Sequence, residues 1–535
     1  QPRSIRPEVT AQKYQARSTG PGVAGQEYQH GSTGQELQVR KYRAGIISQG
    51  GETVKKRIPR ITIAGTSSGC GKTMVVCGIL QALVNRGMKV AAFKCGPDYI
   101  DPMFHSRIIG AHSSNLDSFF FPPDTLKYLL AENASGCEVS VIEGVMGYYD
   151  GMDVSSERCS TYEIAQITDS PVILVVNARG AFRSVLAMIR GFLDFVPESL
   201  ICGVILNQCT PMTYSMLEKA IQDTFHGKVE PAGYLPALPD CSLESRHLGL
   251  ITAEEVRDLK EKLQILARQT EQTVRLDHLL EIAGQAKAVE YQLVKFPALM
   301  HHQDHDLVEA EYQPQNAQAF IHHHDRDLTE TESVRIAVAR DRAFCFYYED
   351  SLDLLRKMGA ELVPFSPLTD RHLPESVDGL YLGGGYPELY AQELSENVSM
   401  LRSVRAALED HLPCIAECGG MMYLTQAIDD AEMVGMIPGR CYNTGKLSRF
   451  GYVTLEAQKD NLLCRKGDII RGHEFHYWDC EDPGAGFLAQ KPSGRSWNCV
   501  HTSDFLYAGY PHFHFYANPA FAERFYAACL QRKKT

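Results

Sequence analysis

"GTSSGCGKT", Gly65 to Thr73, lies directly behind the apolar run "RITIA" and directly before "MVVCGILQALV". A glycine-rich turn between a strand and a helix aims backbone N–H groups and the helix dipole at one point, where a phosphate is stabilised. Gly69 and Gly71 supply the turn, Lys72 reaches the β and γ phosphates, and the Thr73 hydroxyl ligates Mg2+. The stretch predicts nucleotide binding, with ATP and Mg2+ as the expected cofactors. One feature departs from the usual spacing: Gly65 lies six residues before Gly71, so Thr66 stands where the first glycine is expected.

Around the loop, short β-branched runs alternate with helical stretches: "RITIAG", "KVAAFKCG", "VSVIEGVMG", "PVILVVNAR" and "ICGVILNQ". That alternation predicts a parallel sheet with crossover helices, buried on both faces. At 535 residues the chain exceeds one hydrophobic core. The first 56 residues, rich in Gly, Gln, Ser and Thr, read as a disordered tail. The P-loop domain takes 57–285. A polar segment, 286–333, carries the repeat "HHQDHDL" and "HHHDRDL", whose histidines and carboxylates are able to ligate a metal but read better as a solvated linker. A second α/β pattern opens at 334 with "VRIAVARD", continues through "AELVPFSP" and "GLYLGGG", and ends in β-rich sequence to Thr535.

A formal net charge of −12, with no basic stripe, argues against nucleic-acid binding. Sixteen cysteines without a CxxC pair, and no apolar span of about twenty residues, predict a reduced cytoplasmic setting and no membrane partner. A homo-oligomer is compatible with the sequence, which specifies no state.

Polar groups at the carboxyl ends of parallel strands face the ligand crevice. "KCGPDYIDPMFH" places Lys94, Asp98, Tyr99 and Asp101 there, and "VIEGVMGYYDG" adds Glu143 and, a short loop on, Asp150. Such carboxylates hold Mg2+ and orient a reacting group. In the second domain "LPCIAECGGMMYLTQAI" reads as strand, sharp turn and helix with Cys418 at the turn, the geometry that exposes a nucleophilic sulfur. "GYPHFHF" supplies His512 and His514, and "YLGGGYPEL" supplies the N–H groups of Gly384 and Gly385 for an oxyanion. A Cys–His acyl-transfer site is predicted, with spacing unable to choose between alternate histidines.

"GTxxxxGKT" resembles the P-loop of dethiobiotin synthetase and its relatives, which phosphorylate carboxylates; switching ATPases carry an extra lysine where this chain has Ser67. "AECGGMMYL", "LGGGYPELYA", "RGHEFHY" and "HFHF" resemble the class I glutamine amidotransferase domain of the cobyrinic acid a,c-diamide synthase family. "KCGPDYIDP", "NLDSFF", "EGVMGYYDG", "STYEIA" and "ESRHLGL" resemble its ATP-binding half. The resemblance implies Cys418 as the glutamine-attacking nucleophile and His512, with His514 as rival, as its base. Most class I amidotransferases follow that histidine with Pro-Glu, whereas this chain reads "HFHF", so the resemblance implies a dyad. It also places Asp98, Asp101, Glu143 and Asp150 around ATP, Mg2+ and the substrate carboxylate, Tyr99 and Ile100 near a cobyrinic acid-type tetrapyrrole, and Asn207 at adenine. The implied reaction is ATP-dependent amidation of two acetate side chains, one ATP and one glutamine for each, through an acyl phosphate. Alternatives are the same chemistry on hydrogenobyrinic acid or nickel sirohydrochlorin and, from a different class, a regulatory P-loop ATPase fused to a degenerate amidase-like module.

Overall fold

In the computed structural model, residues 53–241, 253–292 and 333–534 are described. The remainder of the tail, the His-rich repeat and "ESRHLGL" lie outside the described residues. The first half carries strands β1 (Arg60–Gly65), β2 (Val90–Cys95), β3 (His112–Leu116), β4 (Val139–Glu143), β5 (Val172–Asn177), β6 (Ile201–Asn207) and β7 (Glu230–Leu235). They form one parallel sheet in the order β3-β2-β4-β1-β5-β6-β7. Both faces are buried, as continuous apolar strands require. Ile61 and Ile63 pack with Val75, Val76, Ile79 and Leu80 of helix α1 (Lys72–Asn85), while Ala64 and Leu174 pack on the other face with Val185 and Ile189. The chain leaves β1 for β2 on one side and later reaches β5 on the other, so the crevice opens at the carboxyl ends of the central strands.

The second half runs through β8 (Val334–Ala339), β9 (Ala360–Phe365), β10 (Gly379–Leu382), β11 (Cys414–Glu417), β12 (Arg440–Ala457), β13 (Ile469–Cys480), β14 (Phe487–Gln490), β15 (Ser496–Cys499), β16 (His501–Thr502), β17 (Leu506–Gly509) and β18 (His512–Phe513). The order β9-β8-β10-β11-β17 is parallel, with β16 an antiparallel edge; β12 and β13 pair antiparallel in a second sheet that β18 joins through His473↔His512.

Two features differ from the sequence reading. Thr53–Lys56 and Val289–Gln292 pair as a short antiparallel ribbon, although the first was assigned to the tail and the second to the linker. Four residues are too few to establish a period, and their pairing is set by backbone bonds between segments remote in sequence. The chain also closes with helix Pro519–Lys533 rather than a strand: proline at its start presets the first turn, and Phe521, Phe525 and Cys529 bury one face.

The two halves share a core in which Phe93, Phe120 and Ile142 belong to the same cluster as Val338, Ile415 and Phe513. Polar contacts add to it. Tyr452 donates its hydroxyl to Asp117 (2.9 Å), Tyr348 to the Pro97 carbonyl (3.1 Å), and Asn133 its amide to Asp350 (2.7 Å). Among the described residues no helix is long and apolar enough to cross a membrane.

Candidate functional sites in the two halves

The loop after β1 turns through two left-handed glycines, Gly69 (φ 76°) and Gly71 (φ 96°). A Cβ on Gly71 would come 1.9 Å from the Asn207 amide nitrogen, which itself donates to the Cys70 carbonyl at 2.9 Å. Asn207, at the end of β6, therefore braces the loop where it enters α1. Lys72 Nζ donates to the carbonyls of Met146 and, at 3.4 Å, Ser67; burial pushes its pKa down. The Thr73 hydroxyl donates to Glu143 Oε1 at 2.6 Å.

Glu143, fully buried at the end of β4, also meets Lys94 Nζ at 2.9 Å, and Lys94 meets Asp101 at 2.6 Å. Burial works against the Glu143 charge, but Lys94 outweighs it and holds the carboxyl far below its usual range. Asp98 lies within the field of the same lysine; burial and then Asp101 push its pKa up to about 6. Asp150 accepts the Gly147 N–H at 2.8 Å, which fixes the glycine turn after β4. Sequence reasoning missed His105, whose Nε2 lies 3.3 Å from Glu143 Oε2 with both groups buried. It opens a single π-helical turn, His105–Ile109, and no hydrophobic period announces such a turn.

In the second half Cys418 follows β11 with φ 49° and ψ −104°, a conformation costly for a residue with a Cβ. Its N–H is tied to the Gly509 carbonyl at 2.7 Å, which holds the turn. Burial and then the nearby Glu388 push the thiol well above its usual range, so the thiolate needs a partner that takes the proton. Gly384 and Gly385 lie between this turn and His512. A Cβ on Gly384 would sit 3.2 Å from His512 Nε2, and a Cβ on Gly419 would sit 3.2 Å from the Gly385 nitrogen. Only glycines permit so close an approach.

His512 Nδ1 meets Glu417 Oε2 at 3.0 Å, and Tyr381 donates its hydroxyl to Glu417 Oε1 at 2.8 Å. His473 stacks over His512 with ring centroids 5.2 Å apart, and burial pushes the His473 pKa well down, so the stacked ring is neutral. His514 does not join this group. Its Nδ1 accepts the Tyr516 N–H at 3.2 Å, and its ring packs 4.8 Å from both Phe121 and Tyr348.

Tyr99, one residue beyond Asp98, turns into the second half. It stacks on Phe346 (5.3 Å), touches Tyr348 (4.4 Å) and stands edge-on to His512 (5.2 Å). Ile100, whose N–H is held by Asp98 Oδ1 at 2.8 Å, begins the short helix that carries Asp101. One loop thus carries Asp98 and Asp101 of the first site and the Tyr99 ring that packs against the second.

Residues 61–250 match the CobQ/CobB/MinD/ParA nucleotide binding domain, and residues 335–520 match the CobB/CobQ-like glutamine amidotransferase domain. Cobyrinate a,c-diamide synthase of Caldanaerobacter subterraneus subsp. tengcongensis is 40% identical over 476 residues, 87% of this chain and 97% of that protein. The proteins of the same name from Listeria innocua (39% identical, 88% of this chain, 99% of that protein) and Clostridium acetobutylicum (38%, 86% and 97%) are similar over the same extent.

Proposed function

The chain belongs to the cobyrinate a,c-diamide synthase family of glutamine-dependent amidating ligases, and from that premise we propose that it amidates the a and c side-chain carboxylates of cobyrinic acid with ammonia drawn from glutamine. Residues 57–285 perform the ATP-dependent step and residues 334–535 release the ammonia. The single observation that carries the division of labour is the 97–101 loop: Asp101 pairs with Lys94 beside the P-loop, while Tyr99 touches His512 in the other half.

A carboxylate resists attack by ammonia because the leaving group would be oxide. Transfer of the γ-phosphate from ATP makes phosphate the leaving group, and the P-loop N–H groups with Lys72 hold the phosphate being transferred. Thr73 and Glu143 offer hard oxygen donors 2.6 Å apart. Among the described residues no cluster of three or more His, Cys, Asp or Glu side chains is arranged to hold a metal. The two-oxygen set of Thr73 and Glu143 suits Mg2+, which would take its remaining ligands from phosphate and water and would neutralise charge on the phosphates. Asp98 and Asp150 would help to orient it, and Asn207, which braces the loop through the Cys70 carbonyl, would lie near adenine. In this reading Asp98 and Asp101 would face the substrate carboxylate, with Tyr99 and Ile100 near the tetrapyrrole.

In the second half the Cys418 thiol gives its proton to His512 Nε2 as sulfur attacks the glutamine side-chain amide carbon. Gly384 and Gly385 face the oxyanion. The C–N bond then breaks, the imidazolium returns the proton to the departing ammonia, and water hydrolyses the thioester to glutamate. The test is Cys418→Ser assayed for amide product with glutamine and, separately, with ammonium salt at raised pH. Loss of the glutamine route with the ammonia route kept supports the scheme. Loss of both in a folded, ATP-binding variant overturns it.

A further inference from the structure

We propose that Glu417, the residue immediately before the nucleophile, is the carboxylate that positions His512 for glutamine hydrolysis. The proposal rests on Cys418 and His512 as nucleophile and base. The chain after His512 reads Phe513-His514-Phe515, with no carboxylate where one usually follows the histidine. Glu417 fills that role from the other direction. Its Oε2 lies 3.0 Å from His512 Nδ1, and both side chains are almost wholly buried, 2% and 3% exposed.

A carboxylate oxygen accepts, so a neutral His512 bonded to Glu417 carries its hydrogen on Nδ1 and its lone pair on Nε2. Nε2 is the nitrogen nearer Gly384, on the side where Gly385 meets the residue after Cys418. Glu417 thereby selects the tautomer that is able to take the thiol proton. It also faces the imidazolium that forms, where a charge-assisted hydrogen bond stabilises the state that burial alone would disfavour.

A buried carboxylate must be paired and fully bonded to be tolerated. Tyr381 meets that demand by donating to Oε1 at 2.8 Å, which also fixes the plane of the carboxylate. The backbone explains how neighbouring residues serve one site. In a continuing strand Glu417 and Cys418 would point to opposite faces. The positive φ of Cys418 breaks the alternation at the strand end, where Glu417 is paired in register with Gly509. Gly509 in turn holds the Cys418 N–H.

The experiment compares Glu417→Gln and Glu417→Asp with the parent enzyme in glutamine-dependent and ammonia-dependent amidation. Glu417→Gln is expected to lower kcat for the glutamine route by about 10²-fold or more with little change in KM for glutamine, and to leave the ammonia route intact. Its glutaminase rate should climb with pH beyond the parent's plateau, because hydroxide removes the misplaced proton. Glu417→Asp should recover part of kcat. Glutamine turnover by Glu417→Gln within about threefold of the parent, or a pH profile of unchanged shape, overturns the proposal. Should Glu417→Gln fail to fold, Tyr381→Phe decides: a fall in glutamine kcat with the ammonia route kept supports positioning, and an unchanged kcat overturns it. Cys418→Ser separates the two ideas, since retention of the glutamine route there removes the nucleophile assignment whatever Glu417 does.

Discussion

The Tyr99 ring stands edge-on to the His512 imidazole, with centroids 5.2 Å apart and planes at 64°, although the two residues belong to different halves of the chain. Asp98, one residue earlier, lies in the field of Lys94 and Glu143. Tyr99 is therefore the residue through which a shift of the 97–101 loop beside Lys94 would reach His512. Tyr99→Ala should raise glutamate formed per amide by about fivefold, corresponding to about 1 kcal/mol of coupling, while Tyr99→Phe should keep the parent ratio. Measurement of glutamate and amide in one reaction checks this; an unchanged ratio for Tyr99→Ala counts against coupling by this ring.

Lys72→Ala should lower amidation by about 10²-fold or more with either nitrogen source, because under the proposed scheme both routes pass through the activated carboxylate. Amide formation with glutamine and with ammonium salt is the measurement. Substantial turnover with ammonia would detach the loop from phosphate transfer.

The two left-handed glycines of the loop should respond differently. Gly69 has open space where a Cβ would go, so Gly69→Ala costs only its backbone strain, about 1 kcal/mol. Gly71→Ala must also displace Asn207, whose amide nitrogen lies 1.9 Å from the new carbon. Calorimetric titration with a non-hydrolysable ATP analogue should find a larger loss for Gly71→Ala, about tenfold or more in Kd.

Asp117 gives a pH signature. Burial raises its carboxyl from 3.8 to about 6, although Tyr452 and the Phe119 and Phe120 N–H groups pull it back. A raised carboxyl pKa means that the folded state holds the proton more tightly than the unfolded chain. This contribution is present below pH about 4 and is lost as pH rises through about 6, at most about 3 kcal/mol. Asp117→Asn should flatten the fall in stability across that window, as measured by urea unfolding at several pH values. An equally steep fall in the variant would assign it to other groups.

Much of this arrangement is legible in the sequence because it is local. The P-loop declares itself by adjacency of strand, glycines and helix, and Cys418 by a strand that runs into two glycines. The placement of Glu143 at a strand end follows from the rule that parallel strands present their carboxyl ends to the ligand. Contacts between distant segments are not legible. "AECGG" displays Glu417 openly, but alternation along a strand argues for the face opposite its neighbour, and only the turn at Cys418 reverses this. Likewise Tyr99 reads as part of a polar ligand loop until the second half is folded against it. The ribbon of Thr53–Lys56 with Val289–Gln292 joins residues more than two hundred positions apart, through backbone bonds that no side-chain pattern encodes.

The histidines of "HFHF" alternate along the chain, and the fold gives them different work. His512 Nδ1 meets Glu417, and its Nε2 lies toward the glycines beside Cys418. His514 is fully buried where the halves meet. Its Nδ1 accepts the Tyr516 N–H, so the hydrogen of the neutral ring lies on Nε2, which is 3.7 Å from Asp350. Asp350 is in turn held by Asn133 of the other half. A nitrogen that already accepts a backbone N–H is poorly placed to take a thiol proton, and the other faces Asp350 rather than Cys418. His512→Ala should therefore abolish glutamine use and spare amidation from ammonia. His514→Ala should instead lower stability by about 3 kcal/mol through lost packing against Phe121 and Tyr348, with KM and kcat for glutamine near the parent values in the fraction that remains folded. Urea unfolding together with the two amidation assays separates these outcomes. If His514→Ala lost the glutamine route selectively while His512→Ala kept it, the base would be His514, and the positioning of His512 by Glu417 would have no bearing on catalysis.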